Sequence, residues 1–249
     1  MHAGARRLST VEDMPHGAEP HLAKALTLDL DDTLWPVWPT IERAERRVHA
    51  FLAEHAPRAA AKYDPVGLRK LRFEVERMRP DLAHDLSGLR RESLRYALVD
   101  AGEDGALAEV AFEIFLEERN RVELFADVLP ALERLAARYP LVALTNGNAD
   151  LVRIGLDHLF VEKISARDVG APKPDPRMFE VACARLGLRP AEVLHVGDDV
   201  ERDVRAALSA GLEAAWVVRP EIHPEPGPPP EGTRYVVREL LELAAALAP

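Results

Sequence analysis

The chain changes rhythm twice. Residues 23–30, "AKALTLDL", form a short apolar run that ends in an acidic cluster, which reads as a buried strand. From residue 38 to about 121, apolar residues recur at helical spacing and strand signal is sparse. Ile41, Ala44, Val48 and Phe51 share one face, and Leu68, Leu71, Val75 and Met78 repeat that spacing. Ser87 and Asp104 stand where N-caps are expected for two further helices. One carries Leu94, Ala97, Leu98 and Ala101, the other Leu107, Val110 and Ile114. Pro57, Pro65 and Pro80 mark the breaks.

From about residue 127, helical and strand patterns alternate. "VLPALERLAARY" leads to "LVALTN", "ADLVRIGLDHL" to a short strand near "VEKISA", "RMFEVACARLGL" to "VLHVGDD", and "ERDVRAALSAGL" to "EAAWVV". Strands separated by helices predict βαβ units and a parallel sheet. The proline-rich "PEIHPEPGPPPEG" reads as a connector, and "RELLELAAALA" as a closing amphipathic helix. The pattern therefore predicts an α/β fold, a Rossmann-like parallel sheet core with helices on both faces. Residues 24–36 and 122–249 form that core, and 37–121 an inserted all-helical domain. Residues 1–23 are polar and irregular and read as a loose tail. Arg6-Arg7 lacks the apolar run of an export signal behind it.

Composition narrows the partners. A hydrophobic content of 47% with 30% charged residues is that of a globular chain. The net charge of −10 argues against nucleic acid and against an anionic membrane surface. It leaves room for a small phosphorylated metabolite, because a metal ion and one lysine reverse the sign locally. The one cysteine, Cys183, excludes an intrachain disulfide. No run approaches a transmembrane helix, so a cytoplasmic protein is expected, monomeric or homodimeric.

Three polar clusters end three separate strands: "LDLDDT" with Asp29, Asp31 and Thr33, "LTNGN" with Thr145 and Asn146, and "VGDDVERD" with Asp198, Asp199 and Asp203. Open parallel sheets bind ligands outside the carboxyl ends of their strands. Lys173, in "GAPKPDP", lies in a loop after the third strand. Each piece also has a purely structural explanation. Asp199 suits a helix N-cap, "TNGN" a turn with Gly147 at positive φ, and Lys173 a solvated loop.

Taken together and in this order, the clusters resemble the haloacid dehalogenase superfamily. Its pattern is D-x-D-x-T, a Ser/Thr ending the second strand, a Lys, and then G-D followed by a further Asp. Here these are Asp29-Leu30-Asp31-Asp32-Thr33, Thr145, Lys173, and Gly197-Asp198 with Asp203. The helical block falls where that family places its cap. The resemblance implies a Mg²⁺-dependent phosphomonoesterase. Asp29 is then nucleophile and metal ligand, and Asp31 the acid and base, giving the metal its backbone carbonyl. Asp198 completes the metal shell. Thr145 and Lys173 hold phosphoryl oxygens, with Asn146 beside them on the substrate side, and the intermediate is an aspartyl phosphate. The resemblance leaves Asp203's contact with the metal open, and it makes Asp32 a surface or capping carboxylate. "DLDDTL", "PLVALTNGNA" and "EVLHVGDDVERDV" look most similar to bacterial phosphatases of flavin mononucleotide and of a phosphorylated ribitylaminouracil in riboflavin synthesis. Such a substrate would have a planar ring for Trp35 or Trp38 to stack on, although hinge packing is the commoner fate of such rings. His49, His55 and His195 are not expected to be ligands.

Two other readings share the scaffold. A dehalogenase also starts from an Asp nucleophile but needs neither Asp31 nor Asp198. A non-enzymatic phosphate-binding module has no need of all five polar positions. A receiver domain would place its acidic pair before the nucleophile, and a dinucleotide fold would show G-x-G-x-x-G after the first strand.

Overall fold

The computed structural model describes residues 23–248, so the expected tail, with Arg6 and Arg7, lies outside the described residues except for Ala23. The chain opens with strand β1 (Ala25–Leu28). Five helices follow: α1 (Val37–His55), α2 (Pro57–Lys62), α3 (Pro65–Met78), α4 (Leu86–Asp100) and α5 (Leu107–Arg119). The alternating half then runs α6 (Val128–Ala136), β2 (Leu141–Thr145), α7 (Leu151–Ile154), β3 (Glu162–Ser165), α8 (Ala166–Val169), α9 (Arg177–Leu186), β4 (Val193–Gly197), α10 (Ala206–Ser209), β5 (Glu213–Val217), β6 (Tyr235–Val237) and α11 (Leu240–Ala246).

The six strands form one sheet in the order β3-β2-β1-β4-β5-β6, with every pairing parallel. Because side chains alternate along a strand, β2, β4 and β5 feed two cores. Leu26, Leu28, Leu141, Ala143 and Val196 pack with Leu132 and Leu135 of α6 and Leu240 and Leu243 of α11. On the other face Val142, Leu144, Val193 and Trp216 meet Met178, Phe179 and Ala182 of α9. Burial on both faces explains why these strands read as continuous apolar runs.

Helices α1 to α5 bury a third core of their own. Ala44, Val48 and Leu52 meet Leu68, Leu71 and Val75, then Leu94, Ala97 and Leu98, then Phe112 and Phe115. Where the chain leaves and re-enters the sheet it is tied to itself. Phe125 N donates to Leu34 O at 3.1 Å. The buried guanidinium of Arg219 donates to Thr33 O at 3.2 and 3.0 Å and pairs with Asp127 at 2.7 Å. No helix among the described residues is long and apolar enough to cross a membrane.

Several elements differ from the sequence pattern. Met78 is 57% exposed, because it is the last residue of α3, one position past the final core contact at Val75 in the i, i+3 pattern. Asp85, not Ser87, caps α4, accepting from Gly88 N at 2.9 Å, and Ser87 sits inside the helix. Asp104 accepts from Ala106 N and caps the turn before α5 rather than the helix itself. The expected helix over 149–159 stops after α7 at Gly155, whose φ is 86°. The helix over 201–212 begins as a π-helical turn (Val200–Arg205). Strand β6 has no counterpart in the sequence reading, since three residues carry too little periodicity to separate from the connector before them.

Candidate active site

In this strand order the chain reverses direction between β1 and β4, so a crevice opens beyond their carboxyl ends. Asp29 extends β1 by one residue, its N–H donating to Val196 O at 2.9 Å. A tight loop follows. Leu34 N returns to Leu30 O at 2.8 Å and Asp32 N to Trp35 O at 2.8 Å. Asp32 carries this turn at φ 60°, the only non-glycine positive φ among the described residues. Its Oδ1 accepts from Val37 N at 2.9 Å, so it caps α1, where Pro36 offers no side-chain cap. Burial lifts the Asp32 carboxyl to about 6.

Asp198, at the end of β4, is buried beside Asp29. With Asp203 they place carboxylate oxygens within 4.8 Å of one another. Lys173 is 3% exposed and stands between two of them, 2.7 Å from Asp29 Oδ1 and 2.6 Å from Asp203 Oδ1. Burial alone would lower the lysine, but Asp203 and Asp29 hold it charged. Burial would raise Asp203 too, yet Lys173 and His195 keep it well below the usual carboxylate range. Asp29 ends up raised, chiefly by burial and against Lys173, with Asp203 and Asp198 adding to the rise. Asp198 is raised by burial as well, against hydrogen bonds from His223 and Thr33. Lys173 thus bridges Asp29 and Asp203 at nearly equal distances, and burial is what raises Asp29 and Asp198.

The donor set decides whether a divalent cation fits. Asp203 is fully engaged. Oδ1 takes Lys173 and His195, Oδ2 takes Asp199 N, and Gly197 must lack a side chain because a Cβ there would lie 2.3 Å from Asp203 Cγ. Asp29 gives only Oδ1 to Lys173. Asp29, Asp198 and Asp203 together present an all-oxygen donor set of the kind a small hard cation takes.

Asp31 lies outside this trio. Its carboxylate accepts Arg119 Nη2 on both oxygens, at 2.6 and 2.7 Å, and Trp35 Nε1 at 2.9 Å. Gly147 makes room, since a Cβ would sit 2.6 Å from Asp31 Oδ2 and 3.2 Å from Thr145 Oγ1. Space is the reason for that glycine. Its φ is not positive, contrary to the turn reading. Thr145 closes β2 with Oγ1 accepting from Gly147 N at 2.9 Å, which leaves its hydroxyl proton to donate elsewhere. Asn146 points its amide at the Lys173 backbone, giving to O at 2.9 Å and accepting from N at 2.7 Å. It positions the lysine loop. Asp29, Asp31, Thr145, Asn146, Lys173 and Asp198 all line one cavity of about 540 Å³.

Asp199 caps the π-helical turn, accepting from Glu201 N and Arg202 N. His195 bridges Thr27 and Asp203 in the interior, and His49 reaches Ala60 O. Trp35 is fully buried against Asp31, whereas Trp38 is 48% exposed with the Arg69 guanidinium 4.2 Å over its ring. Two residues that touch the site went unread in the sequence. Arg119 ends a helix whose other charged residues are glutamates, and His223 lies in the proline-rich connector; neither position carries a motif.

The crevice at the strand reversal gathers an aspartate trio around a buried lysine, the site of an α/β hydrolase. The sequence model of the haloacid dehalogenase-like hydrolase family matches residues 23–211, and the chain belongs to that family. It is 37% identical over 201 residues to the 5-amino-6-(5-phospho-D-ribitylamino)uracil phosphatase YigB of Escherichia coli (strain K12), covering 79% of this chain and 84% of the relative. It is 34% identical over 234 residues to the phosphoserine phosphatase of Thermus thermophilus, covering 82% and 93%. Within the family the chain is an enzyme of the phosphatase kind. A solved 2-haloacid dehalogenase from Pseudomonas syringae pv. Tomato superposes with a TM-score of 0.83 at 36% identity, covering 90% of this chain and 98% of that one.

Proposed function

We propose that this enzyme is a Mg²⁺-dependent phosphomonoesterase of small phosphorylated metabolites, acting through an aspartyl phosphate on Asp29. The observation that carries the reading is the pairing of Asp29 with buried Asp198 beside a second carboxylate, Asp31, held on separate partners. A dehalogenase has no use for Asp31 or Asp198, so the fold shared with solved dehalogenases does not favour that chemistry here. In this reading residues 37–121 are a helical cap over a core of 24–36 and 122–249.

Asp29, Asp198 and the backbone carbonyl of Asp31 would hold Mg²⁺, whose charge offsets that of the carboxylates and the phosphate. Lys173 Nζ aims Asp29 at phosphorus. As Asp29 attacks, the bond to the leaving oxygen breaks and Asp31 supplies that oxygen with a proton. Water then attacks the phosphorus of the aspartyl phosphate. Asp31 takes the proton of that water, and phosphate leaves with Asp29 restored. Thr145 Oγ1–H and Lys173 bind the phosphoryl oxygens throughout, and Asn146 keeps the Lys173 loop in place.

Flavin mononucleotide or a riboflavin precursor is one candidate substrate, supported by the 37% identical relative. Of the two tryptophans, the half-exposed Trp38 is the one able to meet such a ring, since Trp35 is sealed. A phosphate-release screen over sugar phosphates, nucleotides, flavin mononucleotide and phosphorylated amino acids, with Mg²⁺ and with EDTA, tests the reading. Turnover that needs Mg²⁺ is expected. Full turnover in EDTA, or release of halide and not phosphate, refutes it.

A further inference from the structure

The catalytic cavity opens into a second one of about 470 Å³, reached past Asp31, Val37, Phe73 and Leu86, which line both. The two differ in charge. Five arginines line the second cavity, Arg69, Arg72, Arg90, Arg119 and Arg202, against two carboxylates, Glu45 and Asp31; Arg72 and Arg202 stand at the boundary and line the catalytic cavity too. At its edge Arg72 pairs with Glu76 at 3.4 Å and Arg202 with Asp199 at 3.2 Å. Further in, compensation runs short. Glu45 is 3% exposed and is shared, hydrogen-bonded to Arg69 and 3.6 Å from Arg90. The Arg90 guanidinium otherwise rests on the Phe115 ring at 3.7 Å. Arg119 gives Nη2 to Asp31, and its Nη1 is buried without a hydrogen-bond partner.

A protein of net charge −10 has here gathered cations on a surface where burying them is costly. Burial pulls Arg90 down to about 10, Glu45 opposes this, and Arg72 and Arg119 push it further down. Arg72 is lowered by burial too. A helical core has no need of such a cluster, since apolar residues would fill the space at lower cost. An anion fixes all of it, because guanidinium forks bind carboxylate and phosphate through paired N–H donors.

We propose that the arginines of this second cavity hold a second anionic group of the substrate, a carboxylate or another phosphate, while its phosphomonoester lies against Asp29. The substrates are thus doubly anionic metabolites. The reaction that supplies them phosphorylates a hydroxy acid or a phosphorylated sugar. Arg90 determines specificity. This rests on the phosphatase reading, but not on a flavin substrate.

The test compares matched substrates on the wild-type chain and on Arg90→Gln. The pairs are 3-phosphoglycerate with glycerol 3-phosphate, for a carboxylate, and fructose 1,6-bisphosphate with fructose 6-phosphate, for a second phosphate. Wild type is expected to favour the doubly anionic member of at least one pair by tenfold or more in kcat/KM, and the pair that shows it identifies the anion. In Arg90→Gln the ratio should fall to within about twofold, mostly through KM. Equal kcat/KM within both pairs, a preference for flavin mononucleotide over every doubly anionic substrate, or a ratio unchanged in Arg90→Gln overturns the proposal. Should Arg90→Gln fail to fold, Arg72→Gln takes its place with the same expectations. Calorimetric binding of phosphoglycolate against methyl phosphate separates the two readings. Tighter phosphoglycolate binding without any turnover refutes the phosphatase and keeps the subsite. Turnover of aryl phosphates with equal binding of the two ligands does the reverse.

Discussion

Replacing Lys173 with methionine keeps most of the side-chain volume and deletes the one lysine charge in the aspartate cluster. The wild-type ammonium makes hydrogen bonds of 2.7 Å to Asp29 and 2.6 Å to Asp203, and is 3% exposed. Removing one member of a buried ion pair costs about 3–5 kcal/mol, because the carboxylate left behind stays out of water. Part of that is recovered in the double variant Lys173→Met/Asp203→Asn, since an amide in place of the Asp203 carboxylate carries no charge. The two single variants should therefore be non-additive by about 1–3 kcal/mol in urea unfolding. Catalysis loses a hydrogen bond to a charged nucleophile, worth about 1.5–3 kcal/mol, or roughly tenfold to a hundredfold in kcat/KM. The acid side of the stability curve gives an independent check. The native Asp203 carboxyl is held below its ordinary value, so its contribution is present above about pH 4 and is lost as pH falls further. The gap between wild type and Lys173→Met should close on acidification. A variant with wild-type urea midpoint and kcat/KM within twofold of wild type would refute the whole account of the lysine.

Three further outcomes follow from the site. Mg²⁺ should raise the melting temperature of the wild-type chain, by about 2.7 kcal/mol of stability at a hundred times its Kd, and leave Asp198→Asn unmoved in scanning calorimetry; an equal shift in both would detach Asp198 from the metal. Asp29→Asn should abolish turnover and covalent phosphate. Asp31→Asn should release nitrophenolate at a nearly normal rate in a first-turnover burst but hydrolyse the phosphoenzyme slowly; labelled phosphate trapped on Asp31 would reverse the assignment. Asp32, lifted to about 6 by burial, contributes stability that is complete below about pH 4 and is lost as pH rises through 6. Asp32→Asn, measured in EDTA, should reduce that slope, with Asp29 and Asp198, also raised by burial, supplying the rest; an unchanged slope would detach Asp32 from it.

Strand-end chemistry was legible in the sequence because it depends on local order: an apolar run, then an acid, at three places. The partners of those acids were not. Arg119 reaches Asp31 from the far end of the helical insertion, and His223 reaches Asp198 from a connector that looks structureless. Such contacts depend on the tertiary fold, and a single arginine among many carries no mark of it. Asp32 shows the opposite case. Its capping role could be read, but its left-handed backbone could not, since aspartate tolerates that conformation without requiring it. Asn146 follows Thr145 and lines the same cavity, and its amide has both ends on the lysine loop, a contact no local pattern encodes.

The tie between Phe125 and Leu34, with Arg219 bridging Thr33 and Asp127, bears on the order in which the chain folds. β1 and β2 are neighbours in the sheet, but a long insertion separates them along the chain. Closing a floppy loop of about 90 residues instead of about five costs roughly four doublings of length, on the order of 2.5 kcal/mol. Contacts within the helical block are local, and local contacts form quickly. Once α1 has packed on α5 the ends of the insertion are already together, and the two parallel strands meet as if joined by an ordinary crossover through α6. Loosening that packing with Phe112→Ala is therefore predicted to slow formation of the sheet, read by the fluorescence of Trp216 in stopped flow, even though Phe112 touches no strand. A mutant that refolds its sheet at the wild-type rate would show that the strands find each other first.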